Sequence, residues 1–448
     1  MGKGYRERIK KMGQLLKGEE IKAHSRYKGA QTFRRKRKMP LEELLVCTLS
    51  KRGLTTEMEL RSYAGARGGK SVQITKQGCL QQRKRLNPEV FRYLNQAYLR
   101  EFYSSAGEDR TWKGYLVLAV DGSKAEVPDS PENRRSFGQC GNQHTTQGPV
   151  RAQVSSIYDT RNGFCLDMQI SSISASETEL AKAGIEQISQ MVGERPVLLL
   201  FDRGCPSIEL VDALDTAGYS YLFRLSSNDY KEERRAMERT DDVVWLEHTT
   251  PRLQKIRRKY PDRFLQLQRK GRTQVRIVQD RSAGKTPLVL MTNLPQAQCS
   301  CETLVHLYLE RWGIEQSYHT LKNKLKLESV TGRASVYVYQ DFLAQMLVYN
   351  MVQDIRHAAD TQVCRRELRA GYQYPVRTNE NLAIGLFKEH MIRILLENKA
   401  DRRAAEMKRL QSEMERYILP RRITPGHPRK KRLSNKHCNN LKPSFYGA

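Results

Sequence analysis

The chain has 448 residues, 78 Lys and Arg against 49 acids for a formal charge of +29, and no run of eighteen apolar residues. That length suits two or three domains whose cores need no disulfide staples, and the lack of a long apolar run excludes a membrane-spanning helix. The start, "MGKGYRERIKKMGQLLKGEE", is basic without an apolar centre, so no secretory leader is expected, and nine scattered cysteines read as reduced thiols in a cytoplasmic protein.

The excess charge sits at the two ends. Residues 1–40 carry fourteen Lys and Arg against three Glu, and residues 401–448 carry thirteen against four acids. "RRKRK" at 34–38 and "RKKR" at 429–432 are the densest runs. Such clusters favour a polyanion, above all nucleic acid, through phosphate neutralisation and counterion release.

In chain order, residues 1–105 are predicted as short helices joined by Gly turns, with "TKQGCLQQRKR" in the third, a pattern that suits a helix-turn-helix DNA-binding region. At Lys113 the character changes. "GYLVLAVDGS" reads as a buried strand, "VRAQVSSIYDTRNGFCLDMQISS" as two strands around a turn at Asp159–Gly163, and "SETELAKAGIEQISQMV" as a helix with Ser176 as N-cap. "PVLLLFDRG" is a second buried strand, "SIELVDALDTAG" a helix and "YSYLFRLS" a further strand. A strand hairpin followed by alternating helix and strand predicts an α/β fold with a mixed sheet, over 110–225 and 297–335. Residues 226–296 read as a β-rich insertion with strands at "DVVWLEH", "FLQLQ", "QVRIVQD" and "PLVLMTN". Residues 336–418 read as a C-terminal helical region and 419–448 as a loose basic tail.

Three carboxylates stand out. Asp121 closes "LVLAVDGS" and Asp202 closes "VLLLFDRG", and ligands gather at the carboxyl ends of strands in α/β sheets. Glu315 lies in "LYLERWGIEQSYHTLKNKL". At about 100° per residue, Tyr308, Arg311, Glu315 and Lys322 fall within a sector of roughly 60° on one helix. Three carboxylates without a His/Cys cluster suit hard divalent cations, Mg²⁺ or Mn²⁺. Two such ions can drive in-line phosphoryl transfer with no protein nucleophile. No Walker-type phosphate loop and no nucleophile-elbow motif is present.

The set Tyr308-x2-Arg311-x3-Glu315-x6-Lys322 resembles the Tyr-Arg-Glu-Lys signature of bacterial cut-and-paste transposases of the insertion-sequence-four type. Asp121 in "VDGS" and Asp202 in "FDRG" resemble the first two acids of that family's DDE triad, and the gaps of 81 and 113 residues agree, the second holding the insertion. The resemblance implies a ribonuclease-H-like core that cuts transposon-end inverted-repeat DNA with water and then joins the freed 3′-OH to target DNA. It implies Asp121, Asp202 and Glu315 as ligands of two metal ions, and Tyr308, Arg311 and Lys322 as phosphate contacts. It further implies a homodimer in the active complex, acting on the bacterial nucleoid with no membrane attachment. Cys205 in "DRGC" departs from the pattern, where an aromatic is common.

Other positions carry two readings each. His319 shares the Tyr308 stripe, with a plain surface role favoured. Trp312 is expected to pack. Trp245, in the insertion, is read as core of the inserted strands in preference to a platform for a flipped base. The Gly138–Gly148 segment is either a DNA contact or a simple loop. A junction resolvase on the same core, which would cut without joining, and an inactive DNA-binding derivative are the rival functions.

Overall fold

The computed structural model describes residues 4–34, 38–68, 74–105, 107, 109–141, 148–204, 206–280, 287–371 and 374–420. Residues 35–37 of the first basic run, the whole of the second, most of the Gly138–Gly148 segment, Cys205 and nearly all of the tail lie outside them.

Six helices open the chain: α1 (Gly4–Leu15), α2 (Glu19–His24), α3 (Leu41–Leu49), α4 (Thr56–Ala66), α5 (Lys76–Lys84) and α6 (Glu89–Tyr103). Their faces follow the helical period. In α6, Val90, Phe91, Leu94, Tyr98, Leu99 and Phe102 are all buried. Strand β1 (Leu116–Glu126), α7 (Pro131–Phe137), β2 (Arg151–Asp159) and β3 (Phe164–Ser172) follow. Ser130 caps α7 by accepting from the Asn133 N–H, with Pro131 in its first turn. Next come α8 (Glu177–Ile185), α9 (Ser189–Val192), β4 (Val197–Phe201), α10 (Ile208–Thr216) and β5 (Ser220–Arg224). Ser176 stands at the N-cap of α8, but its side chain makes no capping bond.

The segment expected to be β-rich holds α11 (Lys231–Arg235), β6 (Asp241–Glu247), α12 (Thr250–Lys259), α13 (Pro261–Lys270), β7 (Arg272–Asp280) and β8 (Leu288–Thr292). "FLQLQ" is therefore helix, not strand. Its alternation is coincidental: Phe264 and Leu267, three apart, are buried in a small core with Leu253, Ile256 and Ile208, while Leu265 between them points outward. The chain closes with α14 (Cys301–Glu310), α15 (Trp312–His319), a π-helical turn (Thr320–Lys324), α16 (Ser335–Ala370), β9 (Val376–Thr378), α17 (Glu380–Leu396), α18 (Ala400–Met414) and β10 (Ile418–Pro420).

Eight strands form one mixed sheet in the order β3-β2-β1-β4-β5-β8-β7-β6. β1, β4 and β5 are parallel neighbours. β8 then joins β5 antiparallel and carries β7 and β6 beyond it. The first five strands, in the order 3-2-1-4-5, form the ribonuclease-H-like core, and the inserted strands prolong its sheet. The parallel strands Val117–Val120 and Val197–Phe201 are unbroken apolar runs, as strands covered on both faces require.

Two compact units divide the chain. One is Asp109–Ser123 with Gln153–Ser317, the sheet and its flanking helices. The other is Met1–Glu108, Lys124–Ala152 and Tyr318–Ala448. Within this second unit α16 packs against α1, α3, α5, α6, α7, α17 and α18, so the N-terminal and C-terminal helices share one core. Among the described residues no helix is long and apolar enough to cross a membrane.

Candidate active site

One strand register places the two aspartates. The last paired residues of β1 and β4 are Val120 and Phe201, and Asp121 and Asp202 are the next residue on each. The last pair of β4 and β5 is Phe201 with Phe223, so Arg224 stands at the same level on the third strand. Three adjacent parallel strands thus present Asp, Asp and Arg at the carboxyl end of their paired segment. Asp202 follows the end of β4 as expected. Asp121 does not end β1, which continues to Glu126. β2 lies on the other side of β1 in the sheet and holds it extended past the point where β4 stops.

The segment expected to be one uninterrupted helix from Leu307 to Leu325 is not one. At Arg311 the ladder tightens, with the N–H of Arg311 bonded to Tyr308 O and that of Ile314 to Arg311 O. At Thr320–Lys324 it widens, and the Leu325 N–H reaches Thr320 O. Such wide turns recur at functional sites. Gly313 lets this segment approach β2 closely: a Cβ there would stand 3.0 Å from the Tyr158 ring. Arg161, beyond β2, pairs with Glu310 at 2.6 Å and fixes the end of α14.

Tyr308, Arg311 and Glu315 keep a common face through the tightened turn. The Tyr308 hydroxyl donates to Asp202 Oδ1 at 2.9 Å. Arg311 Nη2 donates to Glu315 Oε1 at 3.0 Å and lies 3.8 Å from Asp202 Oδ2, while Nη1 lies 3.6 Å from Asp121 Oδ2. One guanidinium, 3% exposed, faces all three carboxylates. Its Nε and Nη1 are buried without hydrogen-bond partners.

Burial pushes the Asp121 carboxyl up to about 6, and the charges of Asp202 and Glu315 add to the rise against the Gly122 N–H and Arg311. For Asp202, burial also raises, but the Arg203 N–H, the Tyr308 hydroxyl and the cations Arg311 and Arg224 outweigh it, and the net shift is downward. Burial and the neighbouring Asp202 push the Tyr308 phenol up. Two carboxylates a strand apart are therefore tuned in opposite directions, a mark of functional sites.

The donor set, oxygen only and acidic, matches a hard divalent cation, and the raised Asp121 carboxyl marks a place where negative charge lacks enough compensation. As placed, the carboxylates converge on Arg311 instead of on one point. Among the described residues no group of three or more His, Cys, Asp and Glu is gathered closely enough to hold an ion.

Lys322 falls in the other unit, on the π-helical turn, where its ammonium donates to Lys124 O at 2.7 Å. His319 is exposed. Trp312 does not pack as expected. It is 52% exposed with the Arg311 guanidinium beside it. Trp245 is likewise not core: on β6 the buried residues are Val244 and Leu246, and Trp245 faces outward under Arg272, 4.2 Å from its ring centre. Arg224 was missed in the sequence. The signal available was its position at the end of "YSYLFR", the same strand-end rule that picks out Asp121 and Asp202.

Comparison with known proteins points to one family. Residues 112–351 match the family model described as the transposase DDE domain. The chain is 25% identical over 365 residues to transposase InsG for insertion sequence element IS4 of Escherichia coli (strain K12), spanning 78% of this chain and 76% of that protein. Among solved structures, a cryo-EM structure of piggyBac transposase in a synaptic complex with hairpin DNA aligns with 95% of this chain and 85% of its own, at 9% identity and a TM-score of 0.42. With the family model spanning more than half of the sequence and all three acids inside it, the chain belongs to the DDE transposases, of the insertion-sequence-four type.

Proposed function

We propose that Asp121, Asp202 and Glu315 are the acids that hold the divalent metal on which this family depends, as two Mg²⁺ or Mn²⁺ ions, and that the site cuts the inverted-repeat ends of its own element. When bound, the ions would activate water for cleavage and later the 3′-OH for joining to target DNA. The chain's own residues bind and orient. Arg311 offers two buried, unused donors beside the acids, and a phosphate is the acceptor that a planar guanidinium matches best. Tyr308 holds Asp202 and adds a phenol at the same edge. Lys322 supplies a point charge for the DNA backbone. A homodimer bridging two ends and action at the nucleoid complete the reading, the net charge of +29 favouring DNA in both.

The observation that carries the reading is the convergence of three carboxylates, from two strands and a helix, on one buried guanidinium with donors to spare. The test is to incubate the full chain with its flanking terminal repeats and Mg²⁺ and map the cut and joined products. Cleavage followed by strand transfer is expected. Asp121→Asn, Asp202→Asn and Glu315→Gln should each abolish cleavage while end binding persists. Cutting without joining would favour a resolvase, and substantial nicking by any one variant would remove that residue from the set.

A further inference from the structure

The segment between β6 and β7 is a helical hairpin with an excess of positive charge. Residues 250–276, from α12 into β7, hold ten Lys and Arg against one acid, Asp262. Half of these cations are tied to neighbouring acids. Lys259 pairs with Glu179 of α8, Arg263 and Lys270 with Asp212 of α10 at 3.3 and 2.7 Å, Arg252 with Glu233 of α11, and Arg276 with Asp241 of β6 at 2.6 Å. Beneath them Leu253, Ile256, Phe264 and Leu267 close a core with Ile208 of α10. The inner side of the hairpin is therefore fixed by apolar packing and by charge together.

The outer side differs. Arg257, Arg258, Arg269 and Arg272 are exposed, and none of them has a carboxylate partner among the described residues. Arg257 lies against the Phe264 ring at 5.6 Å, and Arg272, opposite Glu247 in the ladder, turns instead over Trp245. The helix dipole accounts for cations in a last turn, but not for Arg272 on a strand or for a face with so few acids. Arg257 and Arg258 stand where α12 ends, and Arg269 and Arg272 lie one helix away, at and beyond the end of α13. At 1.5 Å per residue the two pairs are about 12–15 Å apart, close to the width of a major groove, about 12 Å. They can hold phosphates on both rims of one groove, and such contacts carry no sequence information. Successive residues of β1 point to opposite faces of the sheet: Asp121 meets Arg311, and Gly122 faces Glu177 at the start of α8. The hairpin, tied to α8, thus lies on the face away from the catalytic helix. We propose that its outer side is a second DNA surface, which grips the backbone of target DNA while the transposon end lies against Arg311. A grip through phosphates alone suits a target, whose sequence varies from one insertion to the next. This rests on the joining reaction assigned to the site.

The test compares the full-length wild type with two variants, one carrying Arg257→Gln, Arg258→Gln, Arg269→Gln and Arg272→Gln together, the other Lys at the same four positions. Each protein is loaded with pre-cut terminal-repeat ends and offered a fluorescent duplex of unrelated sequence over a salt series. Capture is read by anisotropy and joining on a gel, and cleavage of uncut ends is followed separately without target. The Gln variant is expected to capture the duplex about ten- to a hundred-fold more weakly, with the slope of log K against log salt flattened by about 3–4. Joining should fall in step while end cleavage stays within a few-fold of wild type. The Lys variant, which keeps the charge, should retain capture. Unchanged capture and salt slope in the Gln variant would overturn the surface as a DNA contact. Equal losses in end binding and end cleavage would overturn the target as its occupant, since the hairpin would then hold the transposon end. Wild type that captures the duplex and cuts ends but joins none would overturn the joining reaction beneath the proposal, an outcome that the capture assay reads separately.

Discussion

At the scale of single residues, the site is a balance of charges that the fold itself does not need. Arg311 is held among three acids, and Asp121 keeps its proton to about 6 against an ordinary value of 3.8, chiefly through burial. The sign of the stability effect follows from which state binds that proton more tightly. Between about pH 4 and 6 the unfolded chain has already lost it while the folded one retains it, so stability falls as pH rises through this window and levels off above it. The full effect is at most about 3 kcal/mol. Asp121→Asn removes the titration. In chelator, its stability relative to wild type should rise from pH 4 to pH 6 and then hold constant, as read from urea unfolding at each pH. A gap independent of pH would mean that Asp121 is not strained by its surroundings. A residue that weakens the fold where it stands is the expected signature of a site kept for chemistry.

At the scale of elements, the π-helical turn that carries Lys322 is anchored by one acid in α17. Glu380 accepts from Thr320 Oγ1 at 3.0 Å, pairs with Lys324, and takes hydrogen bonds from Gln353 and Arg356 of α16 at 3.1 and 2.9 Å. Although burial opposes it, the cations Arg356 and Lys324 and these bonds bring its carboxyl down to about 2. A depressed carboxyl stabilises the fold above its unfolded value of 4.5, and this contribution fades as pH falls towards 2. Glu380→Gln leaves Arg356 buried with a neutral partner, and a loss of about 1–3 kcal/mol at pH 7 is expected, shrinking below pH 4.5. Urea unfolding at pH 7 and pH 4 measures both. A gap as large at the lower pH would assign the effect to packing instead of charge.

At the scale of the whole molecule, the N-terminal and C-terminal helices of the second unit share one core around α16. Asp341 of α16, fully buried, pairs with Lys51 beyond α3 and Arg83 of α5 at 3.2 and 2.6 Å and accepts from the Thr331 N–H. Those cations and hydrogen bonds hold its carboxyl well below the usual range despite burial. Further along the same helix, Asp354 binds Arg8 of α1 at 2.7 Å and Tyr98 of α6 at 2.6 Å, and Asn350 binds Asn95 at 2.7 Å. Neutralising such an acid leaves buried cations unpaired, at a cost of about 3–5 kcal/mol. Asp341→Asn is therefore expected to lower the stability of the helical unit by that amount, read from thermal or urea unfolding, and to loosen residues 1–105 together with α16, read by amide hydrogen exchange. Loosening of the N-terminal helices alone, with α16 still protected, would show that they fold independently. Removing residues 1–105 to test end recognition would strip these partners from α16, so point substitutions on exposed helix faces are the cleaner probe of DNA preference.

The sequence by itself determined most of the local structure and singled out the three acids proposed as metal ligands. Strands such as "PVLLLF" and helices such as α6 and α17 announce themselves by period and composition, because burial of one face, or of both, is a local demand on residue type. The spacing of Tyr308, Arg311 and Glu315 was legible for the same reason: helical neighbours remain neighbours across one tightened turn. Tertiary structure decided what depends on pairing between distant segments. Strand register, not pattern, brought Arg224 level with the two aspartates. The same alternating apolar pattern served a helix in α13 because a second helix was there to pack against it. Which side of β6 faces outward, and hence that Trp245 is exposed, was set by the sheet's own core. The widening at Thr320–Lys324 and the packing of the N-terminal and C-terminal helices around α16 arise from long-range contacts, whose energies no local window of sequence contains.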